Sequence, residues 1–563
     1  MANSKEAKAD EVTVSNSNSP QPDPRDDTIP NMPATDKPKE DENSPYRILK
    51  LTPIEKNARR DYIRIAMILL YPQTSYLRIQ VSTLGHEIHQ AFTSTIRHWP
   101  FLAGWFKTVT TDAEPEWALV YPRIVRPDDF SRAFATDEVT VRLGNTLKSH
   151  MIYKLRLNCF TKENSALPTH NPDQHGPGMP VALRVKLGNG LLILNFAFSE
   201  LMFDAQFIHN FFREFLNNTD TVLATLPKDE VIHRDMPVIF DSGLEAKYEF
   251  PCFDWNMTTE LEESTPREEL DFKIFTLKGY QLHRHRSKIQ RCVREKKLAN
   301  YPMIEDCIFA FFWTTIILAR VSTNALADDA STNINLMVPG HLSTTTREYS
   351  PDYFGNSTVA AAASCDVEEL IGRVEDWDDE NQEFMKHARL AFAASLIAGA
   401  RRGVNNDYMR KLYGLKQAIS PAEDRLAYER ALRRHTESLI FEDWTCYGAQ
   451  FECHLSYVSD RQPRFIPCVD GLLEGTVILL PRKSERDGLE DWPVCVCLHK
   501  DDMEIVEEFL EIANLLPWDD EDEKYEGNER DEGDEGGRRA KEDKGDKDSE
   551  QPALNKALSE IRL

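Results

Sequence analysis

The sequence predicts an α/β chain of two large lobes, each a mixed sheet flanked by helices. Three observations carry this. The chain has 563 residues, too many for one hydrophobic core and suited to two large domains. Strand-period and helix-period segments alternate irregularly in both halves, which suits mixed sheets. No internal repeat is visible by eye.

The elements follow in order. Residues 1–43 are rich in Ser, Pro, Asn, Lys and Asp without apolar periodicity, and are expected to form a disordered tail. The first lobe is placed at 44–217. In it, Tyr62–Tyr71 reads as a strand, and Leu84–Trp99 as an amphipathic helix ended by Pro100. Strands follow around Trp117–Tyr121 and Val181–Val185. Leu191–Asn195 is an unbroken apolar run, the mark of a buried strand. After a turn, Phe207, Ile208, Phe211, Phe212 and Phe215 recur at helical spacing.

Residues 218–266 mix Pro, acids and aromatics without a steady period and read as a crossover linker. The second lobe is placed at 267–517. It opens with the strand Leu270–Leu277 and a basic helix near Tyr280–Asn300. A strongly apolar helix follows at Asp306–Arg320, then a strand at Ile334–Val338. Helices are expected at Glu368–Ala400, around Tyr408–Gly414 and at Pro421–Arg434. Strands at Thr476–Leu480 and Val494–Leu498 precede a last helix at Met503–Leu516. Residues 519–550 hold about sixteen acids against about seven bases, so 518–563 is expected to be an acidic, largely disordered tail.

Charge and composition exclude several classes. A net charge of −26 argues against nucleic-acid binding and against an anionic membrane surface. No apolar run is long enough for a spanning helix, and the N-terminus lacks the apolar core of a signal peptide. The ten cysteines show no zinc spacing, so reduced thiols and no metal are expected. Together these imply a cytoplasmic protein, expected to be a monomer.

The landmark segment is Asn195-Phe196-Ala197-Phe198-Ser199-Glu200-Leu201-Met202-Phe203-Asp204-Ala205. Others align around it: Leu51-Thr52-Pro53-Ile54-Glu55, Pro100-Phe101-Leu102-Ala103-Gly104, and Asp306 with Trp313 and Arg320. Further on come Ser350-Pro351-Asp352-Tyr353-Phe354-Gly355-Asn356, Gly475 to Pro481, and Asp501-Asp502-Met503-Glu504. In order and spacing, the chain from about Pro45 to Leu516 resembles the fungal branch of the BAHD acyltransferases, which includes the trichothecene O-acetyltransferases. The resemblance implies a chloramphenicol acetyltransferase-like pair of similar-sized lobes enclosing a tunnel. It implies acyl-CoA as co-substrate and no permanently bound cofactor. It also implies that a small-molecule acceptor, a hydroxyl or amine of a specialised metabolite, attacks the thioester directly, with the family's motif His taking its proton.

The chain departs from that pattern. The family's His-x-x-x-Asp-Gly reads here as Glu200, Asp204 and Ala205, and no His is followed four residues later by Asp. The family's Asp-Gly-Arg reads as Pro339-Gly340-His341. Its Asp-Phe-Gly loop aligns with Tyr447-Gly448-Ala449-Gln450-Phe451-Glu452. Catalytic candidates are therefore Glu200 as base and Asp204 as the residue that orders the site. Glu is the weaker acceptor in water, with a pKa of about 4.3 against about 6.5 for His, but an apolar tunnel raises it. It suits an amine, which needs less help to attack than an alcohol.

Ordinary readings stand beside these. Glu200 is also what a solvated turn at a strand end looks like. Asp204 precedes a helix and reads as its cap. His209 is a surrogate base or a packed residue, and His341 a partner for Asp204. The basic run His283-Arg284-His285-Arg286-Ser287-Lys288, continuing to Arg291, Arg294, Lys296 and Lys297, is a solvated face or a patch for CoA phosphates. Two functions follow: an acyl-CoA-dependent acyltransferase, or a catalytically silent relative that binds CoA or a metabolite or serves as a scaffold.

Overall fold

The computed structural model describes residues 44–58, 62–70, 77–110, 115–125, 134–138, 178–188, 191–219, 244–256, 265–339, 355–372, 382–432, 437–447, 451–458, 460–468, 472–482, 490–513 and 515. Both expected tails lie outside these residues.

In chain order the strands are β1 (Tyr46–Lys50), β2 (Tyr62–Leu70), β3 (Trp105–Thr110), β4 (Pro115–Pro122), β5 (Phe134–Glu138), β6 (Val181–Gly188), β7 (Leu191–Ser199), β8 (Leu270–Leu277), β9 (Ser331–Pro339), β10 (Thr358–Asp366), β11 (Ser438–Asp443), β12 (Asp460–Pro467), β13 (Thr476–Leu479) and β14 (Trp492–His499). The helices are α1 (Pro53–Asn57), α2 (Leu77–His98), α3 (Ala205–Asn217), α4 (Gly279–Glu295), α5 (Ile304–Ser322), α6 (Val367–Ile371), α7 (Gln382–Gly403), α8 (Asn406–Ala418), α9 (Pro421–Leu432) and α10 (Lys500–Ile512).

Two larger sheets give the two lobes. The first has the order β12-β2-β7-β6-β5 and the second β10-β9-β11-β13-β14-β8; β1, β4 and β3 form a small third sheet. Both large sheets are mixed. In the first, β5 and β6 are parallel and the other pairs antiparallel. In the second, β11 runs parallel to both β9 and β13. Each lobe has its own apolar core.

Strand β7 is buried at all nine positions, as a run flanked by strands on both edges and covered on both faces must be. Helix α3 seals one face. Its six buried apolar residues, Phe207, Ile208, Phe211, Phe212, Phe215 and Leu216, contribute on the order of 10 kcal/mol of apolar burial as an upper bound. Phe196 and Phe198 meet Phe211 and Phe212 edge-on at ring separations of 5.1–5.7 Å. The turn between β7 and α3 is therefore held from both ends.

Several expectations needed correction. Among the described residues, the helix expected over Glu368–Ala400 is not continuous: α6 ends at Ile371 and α7 starts at Gln382. Gly372, at φ 75°, ends the first in a left-handed conformation that side chains disfavour. The helix expected from Leu84 starts at Leu77. Strand β10 was not expected at all, because its alanine run carries no strand signature. The lobe boundaries drawn at 217 and 267 describe continuous stretches, and β12 does not follow them. It crosses back to pair with β2 as an edge of the first sheet. Its Pro463 falls at a break in register, and an edge tolerates proline there. Within the expected crossover, Ala246, Phe250 and Cys252 are packed into the second core.

Among the described residues, no helix is long and apolar enough to cross a membrane. None of their His, Cys, Asp and Glu side chains group to hold a metal ion.

Candidate active site

Glu200 is the first residue beyond the central strand of the first sheet. Register explains why it emerges there. Tyr62 of β2 stands opposite Ser199, and Val181 of β6 opposite Phe198, so the sheet ends where Glu200 begins. The chain turns tightly, with Met202 N and Phe203 N both donating to the Ser199 carbonyl, at 3.1 and 3.2 Å. Asp204 then caps α3: its Oδ1 accepts from Phe207 N at 2.9 Å. The side chain is 2% exposed. The cap expected from sequence is thus present.

The second lobe clamps this turn. Asn356 and Ser357, at the entry to β10, supply the contacts. Asn356 Nδ2 donates to the Glu200 carbonyl at 2.6 Å. Ser357 Oγ and N donate to Asp204 Oδ2 at 2.8 and 3.3 Å. Asn356 N in turn donates to Glu55 Oε1 at 3.2 Å. Glu55 is fully buried and closes a capping box with Thr52, whose N donates to Glu55 Oε2 at 2.7 Å. Two sequence landmarks, Leu51–Glu55 and Gly355-Asn356, therefore meet at the third. Ser357 was missed, since a Ser beside a landmark carries no signal of its own. His341 lies outside the described residues, as does Gln450.

The turn opens onto a cavity of about 170 Å³ between the lobes. Glu200, Phe203 and Ala205 line it from the first lobe. The opposite walls come from α8, α9, β9–β11 and the segment after β11, among them Lys416, Asp424, Glu442, Asp443, Trp444 and Tyr447. Glu200 is half-buried here. Trp444 Nε1 donates to Glu442 Oε2 at 2.8 Å. Lys416 Nζ donates to Asp424 Oδ2 at 2.6 Å. Burial pushes the Asp424 carboxyl above its ordinary range, and the Lys416 ammonium pulls it partly back.

His209 is not among the cavity's lining residues. Its Nδ1 is bonded to the Cys446 carbonyl, and its ring lies 5.2 Å from that of Phe451. A carbonyl only accepts, so the proton sits on Nδ1. Burial lowers the His209 pKa, which keeps the ring neutral near pH 7. This is the packed reading. Replacement His209→Gln is expected to change turnover by less than about threefold, because a group outside the cavity has no proton to take there. Steady-state kinetics of that variant is the check; a hundredfold loss would restore His209 as a base.

A cysteine nucleophile is equally poorly placed. Cys446, just ahead of Tyr447, has its thiol pushed up to about 12 by burial, leaving almost no thiolate to attack a thioester. The cations of α4 lie apart from the cavity: none of its Arg, Lys or His side chains lines it. Its apolar residues Leu282, Ile289, Cys292 and Val293 pack into the second core, while Arg284, Arg291 and Arg294 face solvent.

No protein-family model and no curated protein sequence matches the chain. Solved structures do. TRI101 of F. graminearum, complexed with coenzyme A and T-2 mycotoxin, matches at a TM-score of 0.59 and 13% identity, over 82% of this chain and 97% of that one. TRI3, the trichothecene 15-O-acetyltransferase of Fusarium sporotrichioides, matches at 0.51 and 12%, over 84% and 96%. Vinorine synthase matches at 0.50 and 14%, over 86% and 97%. The fold is that of the BAHD-type acyltransferases, with the two-lobe architecture expected from the sequence.

Proposed function

We propose that the protein is an acyl-CoA-dependent acyltransferase acting on a small specialised metabolite. It transfers an acyl group, acetyl first among them, to a hydroxyl or amine by direct attack on the thioester. One observation carries the reading. The β7–α3 turn that bears Glu200 and Asp204 opens into the cavity between the lobes, on a fold shared over nearly the whole length of a coenzyme A-bound structure.

In this reading Glu200 accepts the acceptor's proton as its N or O attacks the thioester carbonyl. The tetrahedral adduct collapses, the C–S bond breaks, and the CoA thiolate leaves and takes up the proton. Asp204 does no proton transfer. Bonded to Phe207 N and Ser357, it fixes the turn so that Glu200 faces the cavity.

A second reading has its own observation. The residue at the turn is a Glu where the family's motif has His, which suits a silent member that binds CoA or a metabolite, or serves as a scaffold. Acyl-CoA donors screened against alcohols and amines separate the two. Turnover above the uncatalysed rate supports the enzyme. CoA-dependent thermal stabilisation without turnover supports the silent binder. Neither response leaves the scaffold.

A further inference from the structure

The polar character of the cavity is one-sided. Among the described residues, four carboxylates line it, on Glu200, Asp424, Glu442 and Asp443, against one ammonium, Lys416. That ammonium is already engaged at 2.6 Å with Asp424. Aromatic rings of Phe253, Tyr428, Trp444 and Tyr447 complete the walls.

A second, independent observation lies on the Lys416 side. Asn57 Oδ1 and Asp424 Oδ1 are buried acceptor atoms without a hydrogen-bond partner. Both residues line the cavity, and both flank Lys416. Asn57 Nδ2 donates to the Lys416 carbonyl at 3.0 Å, which fixes the amide so that Oδ1 is the atom left over. Asp424 is 1% exposed, and its other oxygen is the one that takes Lys416 Nζ. Buried acceptors are almost always paired in folded proteins, and an exception calls for an explanation. The missing groups must be donors, because both orphan atoms accept only.

We infer that the cavity selects a ligand bearing an ammonium group, with its N–H donors directed to Asp424 and Asn57 and its charge balanced by the carboxylate excess. The aromatic walls suit the same ligand, since a cation is attracted to ring faces. The inference deepens the acyltransferase reading and rests on it for the chemistry: the acceptor is an amine. A protonated amine first gives one proton to Glu200 or solvent. Its lone pair then attacks the thioester carbon, the C–S bond breaks, and the second proton goes to the departing thiolate. The products are an amide, free CoA thiol and one released proton. The thioester arm of the donor carries no charge, so it enters the cavity without opposing the carboxylates.

The test uses matched probes on the full-length protein: 2-phenylethylamine, its neutral isostere 2-phenylethanol and the anion phenylacetate, titrated calorimetrically. The amine is expected to bind at least about tenfold more tightly than the alcohol, the scale of a charge-assisted hydrogen bond. Asp424→Asn is expected to remove that preference. Glu442→Gln, at a half-buried position, is expected to weaken the amine severalfold while the fold stays intact by circular dichroism. Equal affinity for amine and alcohol overturns the inference, as does an amine affinity unchanged in both variants. Acetyl-CoA binding is measured separately. Acetyl-CoA bound without amine preference sinks this inference and leaves the acyltransferase reading standing. Amine preference without acetyl-CoA binding does the reverse.

Discussion

Glu200→Gln is expected to lower kcat for acyl transfer by roughly 10²–10⁴ with little change in KM, the contribution of a well-placed general base. That is about 3–5 kcal/mol of transition-state stabilisation. The substitution is nearly isosteric, and it leaves the backbone bond from Asn356 Nδ2 to the Glu200 carbonyl untouched. The turn is fixed independently, by the Asp204 cap and by Ser357. A loss of rate is thus a loss of proton acceptance and not of structure. Glu200→Ala is expected to lose at least tenfold. Residual turnover remains in both, because positioning of donor and acceptor contributes without a base. Steady-state assays with acetyl-CoA and an amine read the effect. A kcat within about threefold of the wild type, in both variants, would assign Glu200 to the turn and leave the chemistry to positioning alone.

The candidate site was legible in the sequence because it is local. One contiguous segment supplies a strand, a turn and a capped helix, and each has a signature: an apolar run, an acid before the helix, phenylalanines at helical spacing. The clamp was half legible. Glu55 and Asn356 belong to landmarks, but nothing in either says that they touch. The donor-seeking wall was not legible. Asn57 ends one short helix, Lys416 falls near the end of another, and Asp424 lies in the first turn of a third. Each is an ordinary residue for its place, and only the tertiary fold gathers them. The same limit hid β12, since pairing with a strand about 400 positions earlier leaves no trace in local periodicity.

The landmark helix α5 shows the other kind of legibility, in which residues that look functional are structural. Asp306 caps the helix through Met303 N at 2.8 Å and pairs with Arg401 at 3.0 Å. Trp313 Nε1 donates to Thr332 Oγ1 at 3.1 Å inside the second core. None of Asp306, Trp313 and Arg320 lines the cavity. Their spacing of seven places all three on one helix face, where they fasten α5 to its neighbours. Such landmarks report on packing, and packing and catalysis constrain different positions.

Arg320 is where that scaffold is most exposed to damage. Its side chain is 1% exposed and stands 3.7 Å from both Glu474 and Asp502. Those separations make ion pairs in a buried setting. Replacing Arg320 with Met keeps the apolar stem and deletes the charge, stranding two buried carboxylates. The expected loss is about 3–5 kcal/mol of unfolding free energy in urea, a large share of the stability of a typical domain. Burial holds the Asp502 carboxyl above its usual range even with Arg320 beside it, and removing Arg320 takes away the group that pulls it down. A raised folded-state pKa means the native state binds the proton more readily than the unfolded chain. The variant's deficit should therefore grow as pH rises through that pKa and shrink as pH falls below it. Adding Glu474→Gln and Asp502→Asn to Arg320→Met should recover most of the loss at neutral pH, since no buried charge is then left unpaired. A loss under about 1 kcal/mol in the single variant would mean that water already serves these carboxylates. The cavity should respond as well. Glu474 leads through Gly475, at φ 79°, into β13, whose first residue Thr476 lines the cavity, so a loosened ion pair loosens one wall of the site.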